Sequence, residues 1–463
     1  MNLHGFLRIC LAVSAVVALD YEFLILSQDA HYEAKAAEAT KKEILAQGAT
    51  LGKLVNVVLT HEDFRDAEGA WAVWPLFFSL KGRYGRIGMP KWLLIGEAFT
   101  SFNIRLLNKF LDEFNDSEPV FIGRGLKDSR PVIIHHFHGF DRGPETALFQ
   151  YADFSSGIAL NRKLLEKLFV APLSSYPSGF TIDAKFEFTK FINDTTGTLL
   201  KSTKAFCYTR SSDCITWYNP PENSKSNGCR PVGFVNNDNV FFAVKTFVGF
   251  HKTRVVVVKR TWARTAKYVE YFSDFEDRYV PTIDLGVENT ERGHCEKTIR
   301  ILKHFLEHEE LADAAWTVIA DDDTLLSVPR LYRLLECMEE QNPMIIGERY
   351  GYGFAPDGTG GGYSYPTGGA GMVFSRSAAE KLAKSCECPS IDAPDDMVIG
   401  MCAKKYSIPI VHSSGFHQTK SQDYAAEYLS KVPLISLHKF EDIDPYKEYT
   451  DLLHISSNRH EEL

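Results

Sequence analysis

No stretch of this chain is long and apolar enough to cross a bilayer as a helix. The longest apolar run, Ile9 to Leu19 with only Ser14 interrupting it, is about half of what a crossing needs. Preceded by Arg8 and carrying the small residues Val16 and Ala18, it reads as the core of a signal peptide over residues 1–18, which leaves no stable membrane insertion to expect. A basic surplus is missing too. Lys and Arg number 51 against 60 Asp and Glu, a formal net charge of −9, so nucleic acid is not an expected partner. The chain has no Cys-x-x-Cys pair either, which weakens a zinc reading of its cysteines. Once Cys10 is set aside with the signal, eight remain: Cys207, Cys214, Cys229, Cys295, Cys337, Cys386, Cys388 and Cys402. Structural disulfides are the expectation, their pairing open, with zinc a rival only at Cys386-x-Cys388.

What the chain does have begins at its other end. The last four residues, His460-Glu-Glu-Leu463, follow the pattern of luminal retention signals. Signal and tail together give an address: soluble in the endoplasmic reticulum lumen, held by a retention-signal receptor. Two sequons, at Asn115 and Asn193, suit that route. With 463 residues, 44% of them hydrophobic, the chain exceeds what one core organises, so two domains are expected.

The two domains are visible as an internal repeat. Lys91 to Thr100 (KWLLIGEAFT) aligns with Ala315 to Thr324 (AWTVIADDDT), and Pro119 to Gly123 with Pro343 to Gly347 at the same spacing. Tyr151 to Arg162 then matches Tyr365 to Arg376, and Thr181-Ile-Asp-Ala184 matches Ser390-Ile-Asp-Ala393. Buried strands alternate with helical stretches, such as Trp316–Ala320 followed by Val328–Glu340 with Ser327 as N-cap, which predicts an α/β fold with mostly parallel sheets. The expected boundaries are a first domain at 20–215, a turn-rich linker at 216–235, a second domain at 236–440 and a tail at 441–463. The first copy has lost the acidic triplet around Gly96-Glu97-Ala98 and carries Phe186-Glu187 for Asp395-Asp396, so it is expected to be non-catalytic.

The second copy carries the chemistry. Asp321-Asp322-Asp323 directly follow a buried strand, where three like charges repel unless something positive compensates. A divalent cation would do so, since carboxylate oxygens suit Mn²⁺ or Mg²⁺ and the ends of α/β strands are where ligands bind. The competing reading is a solvated loop that caps the next helix. Gly368-Gly369-Ala370-Gly371 allows close backbone approach to a ligand. Asp395-Asp396 supplies a general base or a cap for a helix beginning near Met397, and His412 and His417 supply imidazoles.

These blocks resemble the fringe-type family of β1,3-glycosyltransferases. The match runs through Asn239–Thr246, His251-x-x-Arg254, Thr261-Trp262, Tyr271–Asp274, the triplet, the glycine turn, Pro394-Asp-Asp-x-x-x-Gly400 and Phe416-His417. The resemblance implies two tandem GT-A-like, Rossmann-like domains, the first degenerate, and inverting transfer from a UDP-sugar. It assigns Asp323 and His417 to Mn²⁺ (or Mg²⁺), and Thr246, Arg254, Asp274, Asp321, Asp322, Gly369 and Ala370 to the nucleotide sugar. Asp396, beside Asp395, becomes the general base. Gly347–Gly353, Ala393–Cys402 and Phe416-His-Gln418 resemble the branch that transfers glucose from UDP-glucose to O-linked fucose on thrombospondin type 1 repeats. UDP-galactose or UDP-GlcNAc as donor, or a luminal lectin or folding factor without turnover, are the alternatives.

Overall fold

The computed structural model describes residues 19–128, 149–219, 231–357 and 361–455. The expected signal peptide, Cys10, Cys229, nearly all of the turn-rich 219–228 stretch and the His460–Leu463 terminus lie outside the described residues.

Two mixed sheets of the same plan form the frame. The first uses β1 (Tyr21–Leu26), β2 (Val55–Leu59), β3 (Trp92–Glu97), β4 (Phe121–Gly123), β5 (Ile158–Asn161) and β6 (Lys201–Ser202) in the order β2-β1-β3-β5-β4-β6. The second uses β7 (Val240–Lys245), β8 (Tyr268–Ser273), β9 (Thr282–Asp284), β10 (Trp316–Asp321), β11 (Ile345–Gly347), β12 (Met372–Ser375) and β13 (Ile410–His412) in the order β9-β8-β7-β10-β12-β11-β13. Apart from the edge strand β9, the two orders superimpose term by term. In each sheet a single strand, β5 or β12, runs against its neighbours and the remaining pairings are parallel. The α/β, GT-A-like fold with parallel-rich sheets is therefore present twice.

The central strands explain themselves. Residues Val240 to Lys245 (VFFAVK) are buried without exception, as a strand covered by helices on both faces must be. One face packs Val240, Phe242 and Val244 on Trp262 and Trp316, the other packs Phe241 and Ala243 on Ile299, Leu302 and Phe305. The helix after the triplet is shorter than expected, Val328–Leu335, and Ser327 at its N-cap position makes no side-chain cap bond. Pro329 in its first turn supplies the start instead, since a missing N–H costs nothing there. The helix Asp395–Lys405 begins two residues earlier than expected, with both aspartates in its first turn, where the helix dipole favours negative charge.

Three disulfides join Cys207–Cys214, Cys295–Cys388 and Cys386–Cys402, and Cys337 is disulfide-bonded as well. Cys386 and Cys388 thus enter different bonds, which removes zinc from that pair. Their bonds fasten the helices Cys295–Glu307 and Asp395–Lys405 to one connecting loop. The copies themselves are stitched together by a short strand, Phe180–Thr181, paired antiparallel with Tyr352 and Gly351. Beyond residue 440 the chain is not a loose tail, because Tyr449 and Leu453 are buried in the second copy's core with Leu325 and Leu437.

Candidate active site

Strands β7 and β10 lie side by side in parallel register, which pairs Lys245 with Asp321 at their carboxyl ends. The Lys245 ammonium lies 3.0 Å from Asp321 Oδ1 and 2.6 Å from Asp395 Oδ2. Thr298, on the neighbouring helix, donates to the same Asp395 oxygen at 2.6 Å. Asp322 accepts from the Thr246 hydroxyl at 2.6 Å, and Arg254 Nη1 reaches Asp322 Oδ1 at 3.2 Å and Asp323 Oδ2 at 3.1 Å. The Arg254 guanidinium is held in turn by Glu441 and by the face of Phe250, 3.9 Å away. Asp274, at the end of β8, accepts from the Val248 N–H at 2.9 Å.

The imidazole beside this cluster is His438, not His417. Strand Thr324–Leu326 pairs antiparallel with Ser436–His438, and the register sets Thr324 opposite His438. His438 Nε2 consequently lies 3.0 Å from Asp323 Oδ1 and 3.9 Å from Asp321 Oδ2. His417 sits in the loop after β13, its Nδ1 3.1 Å from the Gly415 carbonyl and its ring edge-on to Tyr424 at 4.8 Å. It borders a cavity between the two copies, away from the triplet. The expected Asp323–His417 pair is therefore replaced by Asp323–His438.

Residues Asp321, Asp323 and His438 offer ligand atoms within 4.8 Å of one another. Nδ1 of His438 lies 2.8 Å from the Gln418 carbonyl, which fixes the proton there and turns Nε2 toward Asp323. Two carboxylates and one imidazole nitrogen, neutral once the ion displaces its proton, are a donor set for Mn²⁺, and the residues fit that ion. Gly369 is required at this point, since a Cβ there would lie 2.3 Å from His438 Cε1. The turn is braced by Thr324 Oγ1 donating to the Gly369 carbonyl at 2.8 Å and by the Ala370 N–H donating to Gln418 Oε1 at 2.9 Å.

Protonation divides the carboxylates by role. Burial raises Asp322 to about 6 against the lowering effect of its Thr246 hydrogen bond. Asp323 is buried as well, yet the charge of His438, aided by Arg254, holds it well below the usual carboxylate range. Burial likewise opposes ionisation of Asp395, but Lys245 and the Thr298 hydroxyl hold it down to about 2. Its neighbour Asp396 moves the other way, up to about 7, through burial first and the adjacent Asp395 charge second. Asp395 is thus a locked ion pair, and Asp396 is the carboxylate able to take and release a proton near neutrality.

Of the expected residues, Thr246, Arg254, Asp321, Asp322, Asp323, Gly369, Ala370, Asp395 and Asp396 gather around the ends of β7 and β10, and Asp274 closes the next strand end. The Thr246 hydroxyl is already spent on Asp322. His438, Gln418 and Thr298 were not among the expected residues. Leu434-Ile-Ser-Leu-His438 alternates as a strand would, but only its pairing with Thr324–Leu326 reveals where the imidazole goes.

Comparison with known proteins gives the family. The fringe-like family profile matches residues 70–196 and 235–454, most of both copies. This chain belongs to the fringe-like family. It is 43% identical to a beta-1,3-glucosyltransferase of Homo sapiens over 92% of this chain and 83% of that protein. Against the protein of the same name from Mus musculus the identity is 42%, over 92% of this chain and 85% of that one. A beta-1,3-N-acetylglucosaminyltransferase, lunatic fringe of Mus musculus, matches at 25% over 45% of this chain and 59% of its own length. Family membership carries the broad reaction class, β1,3-glycosyl transfer, for the chain as a whole.

Gln418 is the brace the family site rests on here, since it holds Ala370 through its side chain and His438 through its carbonyl. Gln418→Ala would leave the buried Ala370 N–H unpaired, at a cost of about 1–3 kcal/mol. We expect kcat to fall about 10- to 100-fold with KM for acceptor little changed, and Gln418→Glu, which keeps an acceptor oxygen, to recover most of it. Steady-state kinetics on both variants check this.

Proposed function

We propose that this chain transfers glucose from UDP-glucose, with inversion, in β1,3 linkage to O-linked fucose on thrombospondin type 1 repeats in the endoplasmic reticulum lumen. The observation that carries the chemistry is the split between Asp395, pinned by Lys245 and Thr298, and Asp396, raised to about 7. An inverting transfer needs one carboxylate that accepts a proton, and the pair supplies one while neutralising the other. Glucose as donor is supported by the shared name of the two relatives above 40% identity. Fucose as acceptor and the luminal setting are supported by the motif resemblance.

In this reading Asp396 takes the proton of the fucose 3-hydroxyl as its oxygen bonds to the anomeric carbon from the face opposite UDP. The bond from that carbon to the diphosphate oxygen breaks, UDP leaves with the electron pair, and an α-linked donor yields a β product. Mn²⁺, when bound, would neutralise charge on the diphosphate from the side of Asp323, Asp321 and His438. Lys245 fixes Asp321 and Asp395 at their positions, and Arg254 keeps Asp322 and Asp323 from repelling one another apart.

The test is a donor panel. Purified protein, Mn²⁺ and a fucosylated thrombospondin repeat are incubated with UDP-glucose, UDP-galactose or UDP-GlcNAc, and product mass and UDP release are followed. UDP-glucose should give a repeat heavier by one hexose and stoichiometric UDP. Transfer from another donor alone would reassign the sugar, and no transfer from any donor would end the proposal.

A further inference from the structure

The first copy has lost its carboxylates but not its cleft. Its strand β3 ends at Glu97 as β10 ends at Asp321, so Glu97, Ala98 and Phe99 occupy the places of the acidic triplet. At that point the structure holds a cavity of about 270 Å³, floored by Glu97, Ala98 and Phe99 and walled by Asp183 to Lys185. Its roof comes from the catalytic copy, through Glu348, Arg349, His412, Tyr424 and Tyr428. None of the catalytic residues lines it, so it is a second chamber.

We propose that this chamber binds an uncharged pyranose ring of a glycan. The reasoning starts from what lines it. A pyranose offers apolar C–H faces and a rim of hydroxyls, and binds where aromatic faces meet a few fixed polar groups. Tyr32 and Phe99 stand nearly parallel, 22° apart in plane, and Trp71 and Tyr218 add to the aromatic lining. Among the polar groups, Glu33 is committed, accepting from the Gln28 amide at 2.7 Å. Arg349 is committed too, donating to Gln28 Oε1 at 2.9 Å and stacking on Trp71. Lys185 lies over the Tyr428 ring at 4.1 Å. The half-buried Glu97 carboxylate has no hydrogen-bond partner among the described residues, and desolvation pushes it up to about 7. A sugar hydroxyl would supply the hydrogen bond that this carboxyl lacks.

The same lining argues against a nucleotide sugar. Among the described residues the carboxylate–imidazole clusters that could hold a cation are Asp321–Asp323–His438 and Glu270–His304–His308, and neither borders this chamber. The chamber therefore has no such cluster, among the described residues, to hold the metal that would bridge a diphosphate. Occupancy would also be felt at the catalytic site. Glu348, in the chamber roof, accepts the Gln418 N–H at 2.5 Å, and Gln418 braces Ala370 and His438.

The experiment reads binding without turnover, so it stands apart from the choice of donor. Saturation-transfer difference NMR is run on the full chain with methyl glycosides of glucose, fucose and mannose, each with UDP and Mn²⁺ saturating the catalytic site. A second arm offers the same sugars as glycans on a glycopeptide, to separate a free sugar from a protein-borne one. At least one pyranose should give saturation transfer that survives UDP and weakens tenfold or more in Glu97→Ala. Should Glu97→Ala melt early, Phe99→Ala, which removes a stacking face, replaces it. The proposal is overturned if no sugar gives a signal in either arm with UDP present, or if the signal is unchanged in both variants.

Discussion

Asp396→Asn is expected to lower kcat by about 10²- to 10⁴-fold while the protein stays folded, the range removed with a general base. The variant retains an oxygen for the Met397 N–H that Asp396 accepts at 2.7 Å, so the helix start survives. Stability gives an internal control whose sign follows from the same shift. The folded Asp396 carboxyl is raised to about 7, so its native-state advantage is present below its unfolded value and is lost as pH rises through 7. At pH 8 the ionised carboxylate destabilises the fold, and the amide removes that cost, so the inactive variant should melt no earlier than the parent. Activity runs oppositely with pH. In the parent, kcat/KM should fall about tenfold per pH unit below 7 as the base becomes protonated, and Asp396→Asn should flatten that limb. A retained limb in the variant would assign the base elsewhere.

Asp323→Ala is expected to have the larger effect. Asp323 meets His438 at 3.0 Å and Arg254 at 3.1 Å, so its removal takes the central carboxylate from the candidate metal cluster. A metal's stabilisation of a developing charge is worth several kcal/mol, hence roughly 10³-fold or more in transfer. Two measurements check it. Mn²⁺ titration followed by electron paramagnetic resonance should show weakened binding, and transfer to a fucosylated repeat should be lost. Unchanged Mn²⁺ affinity would remove Asp323 from the metal set even if activity fell, and His438→Ala should weaken Mn²⁺ in the same way.

Features within a few residues of one another were open to sequence reading. The triplet, the glycine turn and the Asp395-Asp396 pair each announce themselves by spacing, and the repeat around Trp92 and Trp316 shows that this strand and turn do not require three carboxylates. What stayed hidden depends on tertiary pairing. An apolar run such as Met372–Ser375 does not encode its direction, so the antiparallel strand in each sheet could not be foreseen. His417 stood next to a matching Phe and drew the metal assignment, whereas His438 reaches Asp323 only because Thr324–Leu326 pairs with Ser436–His438. Asp395 and Asp396 look interchangeable in sequence. Lys245 and Thr298, from two other elements, tell them apart.

The strand that Phe180 and Thr181 lend to Gly351 and Tyr352 makes the duplication hard to undo. A chain without the first copy would expose the edge of Arg349–Tyr352 to pairing with any passing strand.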